Sequence, residues 1–301
     1  MSIAFIFPGQ GSHRAGVLSA WSEHPAARVA DEVSASIGRN INKIAQDEKA
    51  GSRTADAQPA IFATSLVAWR AVTDAGLTPD IVAGHSLGEY TAAVAAGALS
   101  VTEAASVVAA RGNAMGRACA SDPGTMAAVV KLDPELVKEL VSQIEDVVIA
   151  NDNAPGQIVV AGTEEAIAAV SDAAREHRGR VINLDVEGAF HSPAMASAVS
   201  EVEKALTNAE VADPVVPLVS GARVAKVTTA ATVADGLVSG VLAAVRWREV
   251  QLALAADGVT DLVEIGPGGV LAGLAKRTVP DLAVHAVAEP ADIDTVVEAL
   301  A

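Results

Sequence analysis

The chain is short of cysteine, aromatic side chains and positive charge. Its one cysteine in 301 residues, Cys119, has no partner for an internal disulfide, so a secreted, stapled fold is excluded. Aromatic residues make up 3% of the chain; alanine and valine supply the bulk instead, which suits close helix–sheet contacts. Lysine and arginine number 21 against 37 aspartates and glutamates, a net charge of −16. A chain that acidic lacks the basic face that nucleic acid or an anionic membrane demands. The most apolar helix-like run, near Thr91–Leu99, falls well short of the roughly 18–20 residues of a membrane span. The opening Met1–Pro8 has no basic segment and too short an apolar stretch for a signal peptide, so a cytoplasmic protein is expected. There is no P-loop, no G-x-G-x-x-G and no histidine–cysteine cluster with metal spacing, so neither a cofactor nor a metal is expected.

What remains is 51% hydrophobic, enough for a large core, and no repeat of 20–50 residues is visible. The pattern begins with a β-branched and aromatic run, Ile3–Phe7, broken by Pro8-Gly-Gln-Gly-Ser12, which reads as a strand and a glycine-rich loop. Helices are predicted over Trp21–Ile37 and from Pro59 to Ala75, a buried strand over Pro79–Ala83, and helices over Glu89–Ala98 and Val101–Arg117. Strands alternating with helices imply an α/β fold with a mostly parallel sheet covered on both faces. Near Asp122-Pro-Gly124 the elements become short and regular. Strands over Met126–Lys131, Val147–Ala150, Gln157–Ala161 and Arg180–Val186 and helices over Pro134–Ile144 and Glu164–Glu176 follow in the order β-α-β-β-α-β, the split, ferredoxin-like unit. We read residues 123–189 as a small subdomain inserted into a larger α/β-hydrolase-like one formed by 1–122 and 190–301. The chain then returns through a helix at Pro193–Leu206, a strand at Leu262–Ile265, a helix at Val270–Lys276 and a short strand at Leu282–Val287.

The strongest local signal is Gly84-His-Ser-Leu-Gly88, a G-x-S-x-G pentapeptide between a strand and a helix. Only small flanking residues let strand and helix approach that closely, and the turn offers Ser86 at a helix N-terminus where negative charge is favoured. The plainer alternative is a packing or phosphate turn with an inert serine. A serine nucleophile needs a base. Of six histidines, His24 and His177 read as solvated surface and His85 as structural, pointing away from its neighbour Ser86. His13 borders the first glycine loop. His191, in Gly188-Ala-Phe-His-Ser-Pro193 at the return from the inserted unit, is favoured, with His285 second; either is otherwise a histidine satisfied at a packing junction. Arg111, in the apolar stretch Val107–Asn113, needs a carboxylate or several hydrogen bonds if buried. No acidic residue lies within a helical turn of it, so a ligand carboxylate competes with a salt bridge across the core. Strand ends converge on the ligand crevice of an α/β sheet, which places the Gln10 N–H as an oxyanion donor unless that loop is simply a tight turn. Gly266-Pro-Gly-Gly269 lacks the lysine of a phosphate loop.

These motifs together resemble, almost end to end, the malonyl-CoA:acyl carrier protein transacylases of fatty-acid synthesis. The likeness runs through Phe7-Pro-Gly-Gln-Gly-Ser12, Gly84-His-Ser-Leu-Gly88, Arg111-Gly112, Gly188-Ala-Phe-His191, Val245-Arg-Trp247, Glu264-Ile-Gly-Pro-Gly268 and Lys276-Arg277. The resemblance implies Ser86 as the acylated nucleophile, His191 as its base and then acid, and backbone N–H groups of Gln10 and Leu87 as the oxyanion hole. It implies Arg111 as the grip on the malonyl carboxylate, supported by Gln58, and Asn153 near the thioester arm. It implies a main-chain carbonyl near Arg246 as the group orienting the histidine. Leu87 and Phe190 match the malonyl rather than the methylmalonyl pattern. The implied partners are malonyl-CoA and, transiently, acyl carrier protein. Both are anionic, so docking is expected at a local basic patch drawn from Arg117, Arg246, Arg248, Lys276 and Arg277. A hydrolase on the same turn, which would promote His285, and a non-catalytic binding module are the competing functions.

Overall fold

The computed structural model describes residues 2–300. Its strands are β1 (Ile3–Phe7), β2 (Ile81–Gly84), β3 (Thr125–Val130), β4 (Val147–Ala154), β5 (Gln157–Gly162), β6 (Arg180–Asn183), β7 (Leu218–Ser220), β8 (Ala225–Val227), β9 (Asp261–Ile265) and β10 (Ala283–Val287). Its α-helices are α1 (Arg28–Ile37), α2 (Ile41–Gln46), α3 (Thr54–Asp74), α4 (Gly88–Ala95), α5 (Val101–Ser121), α6 (Pro134–Ser142), α7 (Glu164–Glu176), α8 (Ala196–Thr207), α9 (Ala230–Ser239), α10 (Trp247–Ala256), α11 (Val270–Thr278) and α12 (Asp292–Leu300).

The large sheet runs β10-β9-β1-β2-β7-β8, parallel except at its edge strand β8. Successive side chains of a strand point to opposite faces, and β1 shows the consequence. Phe5 and Phe7 pack into the core formed with α3, α4 and α5, while Ala4 and Ile6 pack on the other face against Trp247, Leu254 and Leu271 of α10 and α11. Both faces are therefore covered, which is why the central strands read as unbroken apolar runs rather than alternating ones. The second sheet, β4-β5-β3-β6, is antiparallel. Val129, Ile158 and Val160 face α6 and α7. Met126, Val159 and Ala161 face the main core, so this sheet roofs the space above the carboxyl ends of β1 and β2.

Two expectations are corrected. The helical pattern from Trp21 is broken into short 3₁₀ turns at Ser19–Trp21 and Pro25–Ala27 before α1 begins at Arg28; Pro25 starts a new turn, capped by His24, whose Nδ1 accepts from the Ala26 N–H. The next helix starts at Thr54 rather than Pro59, and Pro59 lies inside it. Proline in a helix leaves the carbonyl four residues earlier without its partner. Here that carbonyl, on Ala55, accepts from the Arg39 guanidinium at 2.7 Å, so the helix continues. The stretch between α8 and β9 holds β7, β8, α9 and α10, none of which was expected.

The close crossing of β1, β2 and α4 depends on glycine. A Cβ on Gly88 would lie 2.1 Å from the Phe7 carbonyl oxygen, and one on Gly84 would lie 2.0 Å from the Gly88 carbonyl carbon. Both obstacles are backbone, which cannot step aside. Gly88→Ala should therefore destabilise the fold by about 4 kcal/mol or more, whereas Gly273→Ala, on α11 with nothing within 4 Å of its Cβ position, should stabilise it by roughly 0.5–1 kcal/mol. Denaturant melts of the two variants check this; equal stabilities would refute it.

Candidate active site

The turn between β2 and α4 is held by short backbone bonds: the His85 N–H donates to the Phe7 carbonyl and the Glu89 N–H to the Ser86 carbonyl, both at 3.0 Å. Ser86 has φ 53°, a left-handed conformation that costs a residue with a Cβ about 1–2 kcal/mol. Non-glycine residues kept there mark sites that the surrounding structure enforces. The strain leaves the Ser86 hydroxyl at the wall of a cavity of about 170 Å³ under the second sheet, just before the first turn of α4.

His191 reaches the same point from the segment that follows β6. It too has a positive φ, 57°, and it is 5% exposed. Its Nε2 lies 2.8 Å from Ser86 Oγ and its Nδ1 3.0 Å from the Ala243 carbonyl oxygen. A carbonyl only accepts, so Nδ1 carries the proton and the Nε2 lone pair faces the hydroxyl. Burial, with the Arg111 guanidinium and His85 nearby, pulls the imidazole down to about 3, so it stays a neutral base. The carbonyl comes three residues earlier than expected. The Val245 carbonyl already accepts from the Asp152 N–H at 2.9 Å, and the turn before it aims Ala243 at the ring.

Arg111 is 2% exposed. It donates to Gln58 Oε1 at 2.7 Å and to Ser86 Oγ at 3.1 Å, and its guanidinium carbon lies 5.5 Å from the Tyr90 ring centre. Its Nε has no partner, and it forms no ion pair among the described residues. Glu89 acts on it only through space; that carboxyl accepts from the Gly221 N–H at 3.1 Å, and burial pushes it up to about 7. Arg111 and Gln58 meet because α5 lies directly on α3: a Cβ on Gly112 would come within 3.1 Å of the Thr54 carbonyl oxygen.

The remaining candidates divide clearly. Gln10, Phe190 and Asn153 all line the cavity. The N–H groups of Gln10 and Leu87 donate to no other atom among the described residues, and the Gln10 side chain is fixed by the Thr54 hydroxyl, which donates to its Oε1 at 2.7 Å. His85 is not turned away as expected: it lines the cavity, with Nε2 2.8 Å from Asn153 Oδ1 and its ring edge-on to Trp247 at 5.6 Å. His285, on the edge strand β10, instead sits 3.2 Å from Asp261. His13 lies against Gly51 without a partner for either ring nitrogen among the described residues. The glycine loop after β9 is closed to phosphate because the buried Glu264 carboxylate accepts from the N–H groups of Gly269 at 3.3 Å and Ala272 at 2.8 Å. Sequence reasoning missed Ala243 and Tyr90. A main-chain carbonyl leaves no residue signature, and Tyr90, in the first turn of α4 beyond the Ser86 turn, has no spacing that marks it. A hydroxyl on a base, flanked by free N–H groups and an unpaired buried cation, is equipped for acyl transfer with an anionic acyl group.

Comparison with known proteins agrees in kind. The acyl transferase domain family matches residues 4–297. The malonyl CoA-acyl carrier protein transacylase of Bacillus subtilis (strain 168) is 37% identical over 99% of this chain and 97% of its own. The crystal structure of the acyl-carrier-protein S-malonyltransferase from Burkholderia pseudomallei 1710b superposes with a TM-score of 0.93 at 37% identity, covering 99% of this chain and 100% of that one. A malonyl-transacylase in complex with its type II PKS acyl-carrier protein gives 0.95 at 32%, over 99% and 100%.

The buried imidazole generates a pH prediction. An NMR titration of the His191 ring should show it neutral from pH 8 down to 5, because burial and the Arg111 guanidinium pull it down to about 3 and a lowered pKa keeps the base deprotonated on the acid side of 6.5. A midpoint at 6.5 would contradict the burial and the Arg111 field just described.

Proposed function

The chain belongs to the acyl transferase domain family, and from that premise we propose that it moves a malonyl group from malonyl-CoA to the phosphopantetheine thiol of acyl carrier protein, supplying fatty-acid synthesis. The observation that carries this reading is Arg111. A buried guanidinium without a carboxylate costs several kcal/mol, and a malonyl carboxylate bound there supplies the missing charge. A neutral-acyl hydrolase has no use for that cation.

In this reading each side chain has a role. Ser86 passes its proton to His191 Nε2 as its oxygen attacks the thioester carbonyl. The free N–H groups of Gln10 and Leu87 take the tetrahedral oxyanion. The carbon–sulfur bond breaks, and His191 returns its proton to the CoA thiolate, leaving a malonyl ester on Ser86. The carrier's thiol then gives its proton to His191 and attacks that ester, and the Ser86 oxygen recovers the proton. This is a ping-pong double displacement. Arg111, braced by Gln58, holds the acyl carboxylate in both halves, and Phe190 limits the room beside it. Asn153 and the apolar wall lie along the thioester arm. The arm enters between the two bodies we take as subdomains, 1–122 with 190–301 and 123–189. The setting is the cytoplasm; no described helix is long and apolar enough to cross a membrane.

For carrier docking we assign Lys276 and Arg277, exposed at the end of α11. The other basic candidates are engaged elsewhere: Arg117 with Glu201, Arg246 with Glu249 and Arg248 with Asp152. Lys276 and Arg277 form no ion pair among the described residues, although Arg277 reaches Gln157.

Three measurements test the proposal. Intact-mass analysis after mixing with malonyl-CoA should show one malonyl adduct that Ser86→Ala removes; no adduct would leave a non-catalytic binding module. Arg111→Ala should weaken malonyl loading by roughly 3–5 kcal/mol in transition-state binding while acetyl loading rises, and unchanged malonyl kinetics would remove Arg111 from the site. Lys276→Glu and Arg277→Glu should slow transfer to the carrier more than Ser86 acylation; equal slowing of both half-reactions would refute that docking surface.

A further inference from the structure

The carbonyl that orients His191 belongs to a segment with little structure of its own. Ala243 lies in the turn between α9 and α10, tied on one side to the last turn of α9 through its N–H on the Ser239 carbonyl at 2.9 Å. On the other side the regular attachment, among the described residues, is to the second sheet. β4 is that sheet's edge strand, and its pairing with β5 shifts register between Ile149 and Asn151 and again between Asp152 and Ala154. Such bulges bend an edge and re-aim its groups. The bent edge takes up the turn: Val245 donates to the Ala150 carbonyl at 2.8 Å, and its own carbonyl accepts from the Asp152 N–H at 2.9 Å. Asn151 and Asn153 face the cavity. Asp152 between them points the other way, onto α10. There Arg248 donates to it through Nε at 2.9 Å and through a terminal nitrogen at 2.6 Å. The Asp152 side chain is 7% exposed and that of Arg248 23%. Paired bonds from one planar guanidinium fix orientation as well as distance.

We infer that Asp152 and Arg248 are positioning residues for His191, clamping the segment that carries the Ala243 carbonyl to the inserted sheet. His191 itself descends from that sheet, on the segment leaving β6. The pair therefore ties the turn that carries the orienting carbonyl to the inserted sheet, from which the His191 segment leaves after β6. Loosening the pair releases the carbonyl, the ring loses its fixed tilt, and both half-reactions slow together because His191 serves both. Binding of the acyl carboxylate, which rests on Arg111, is untouched.

This inference takes its kinetic arm from the malonyl-transfer reading, so the test has a second arm that needs no turnover. Asp152→Asn and Arg248→Lys are compared with the parent chain, the lysine keeping the charge but losing the paired geometry. Each is checked for an intact thermal melt. Expected is a fall of about tenfold in kcat for Ser86 malonylation, matched in transfer to the carrier, with KM for malonyl-CoA within about twofold. Asp152→Glu, which keeps a carboxylate, should restore part of the loss. In the second arm the His191 Nδ1 proton resonance should move upfield and exchange faster with water in both variants, and this arm stands even if the parent chain forms no malonyl adduct. Folded variants with parental kcat and an unmoved resonance would overturn the inference. So would a loss confined to KM.

Discussion

Everything at this site is arranged around one buried positive charge that the protein does not neutralise. Arg111 sits 2% exposed in a core of alanine, valine and leucine, and the groups nearest its guanidinium, an amide oxygen, a hydroxyl and an aromatic face, are all neutral. Such a charge is tolerated only if the surroundings are rigid enough to keep those weak partners in place. That requirement explains the tight seating of α5 on α3 at Gly112, and with it the small side chains that dominate both helices. It also sets the chemistry next door. The same cation donates to the Ser86 hydroxyl and helps hold His191 neutral, so the imidazole facing that hydroxyl is unprotonated before any substrate arrives.

The two strained residues, Ser86 and His191, come from distant segments, one after β2 and one after β6, and meet at 2.8 Å. Ser86 is fixed by the parallel sheet through a turn whose glycines let backbone pass backbone. His191 is fixed by the inserted sheet and by a carbonyl that β4 holds in register. A left-handed conformation at each end of one hydrogen bond is costly twice over. Together they aim two side chains at a single point in the cavity, where an extended thioester can lie.

How far this was legible in the sequence depended on whether side chains or backbone carried the feature. The parallel core was readable because buried strands are continuous apolar runs, and the nucleophile turn because glycine is required where backbone approaches backbone. The helix that continues through Pro59 was not, since its continuity depends on Arg39 taking the Ala55 carbonyl across space. Strands β7 and β8 are three residues each, too short for a period of two to register, and α9 and α10 were hidden with them. Ser86, His191 and Arg111 each had a local pattern. The residues that hold them had none: Ala243 acts through its carbonyl, and Asp152 and Arg248 are distant in the chain. His85 was misjudged because neighbours on a tight turn need not diverge: both His85 and Ser86 line the cavity.

The net charge of −16 takes on a different meaning beside this site. An acidic protein that binds an anionic thioester and an acidic carrier gains nothing from its long-range field, which repels both. Attraction must then be local and short-ranged. The exposed cations proposed for docking, Lys276 and Arg277, would act only within a Debye length of about 8–10 Å. At the floor, Arg111 acts through contact in a low-dielectric pocket, where one charge outweighs many distant ones. The two have opposite requirements: the docking surface must release a carrier after each transfer, so its charges stay solvated and weak. The floor must hold the acyl group while one thiol leaves and another enters, so its charge is buried and left unpaired. A salt bridge within the protein would ease the burial of Arg111 and remove the reason for a carboxylate to bind there.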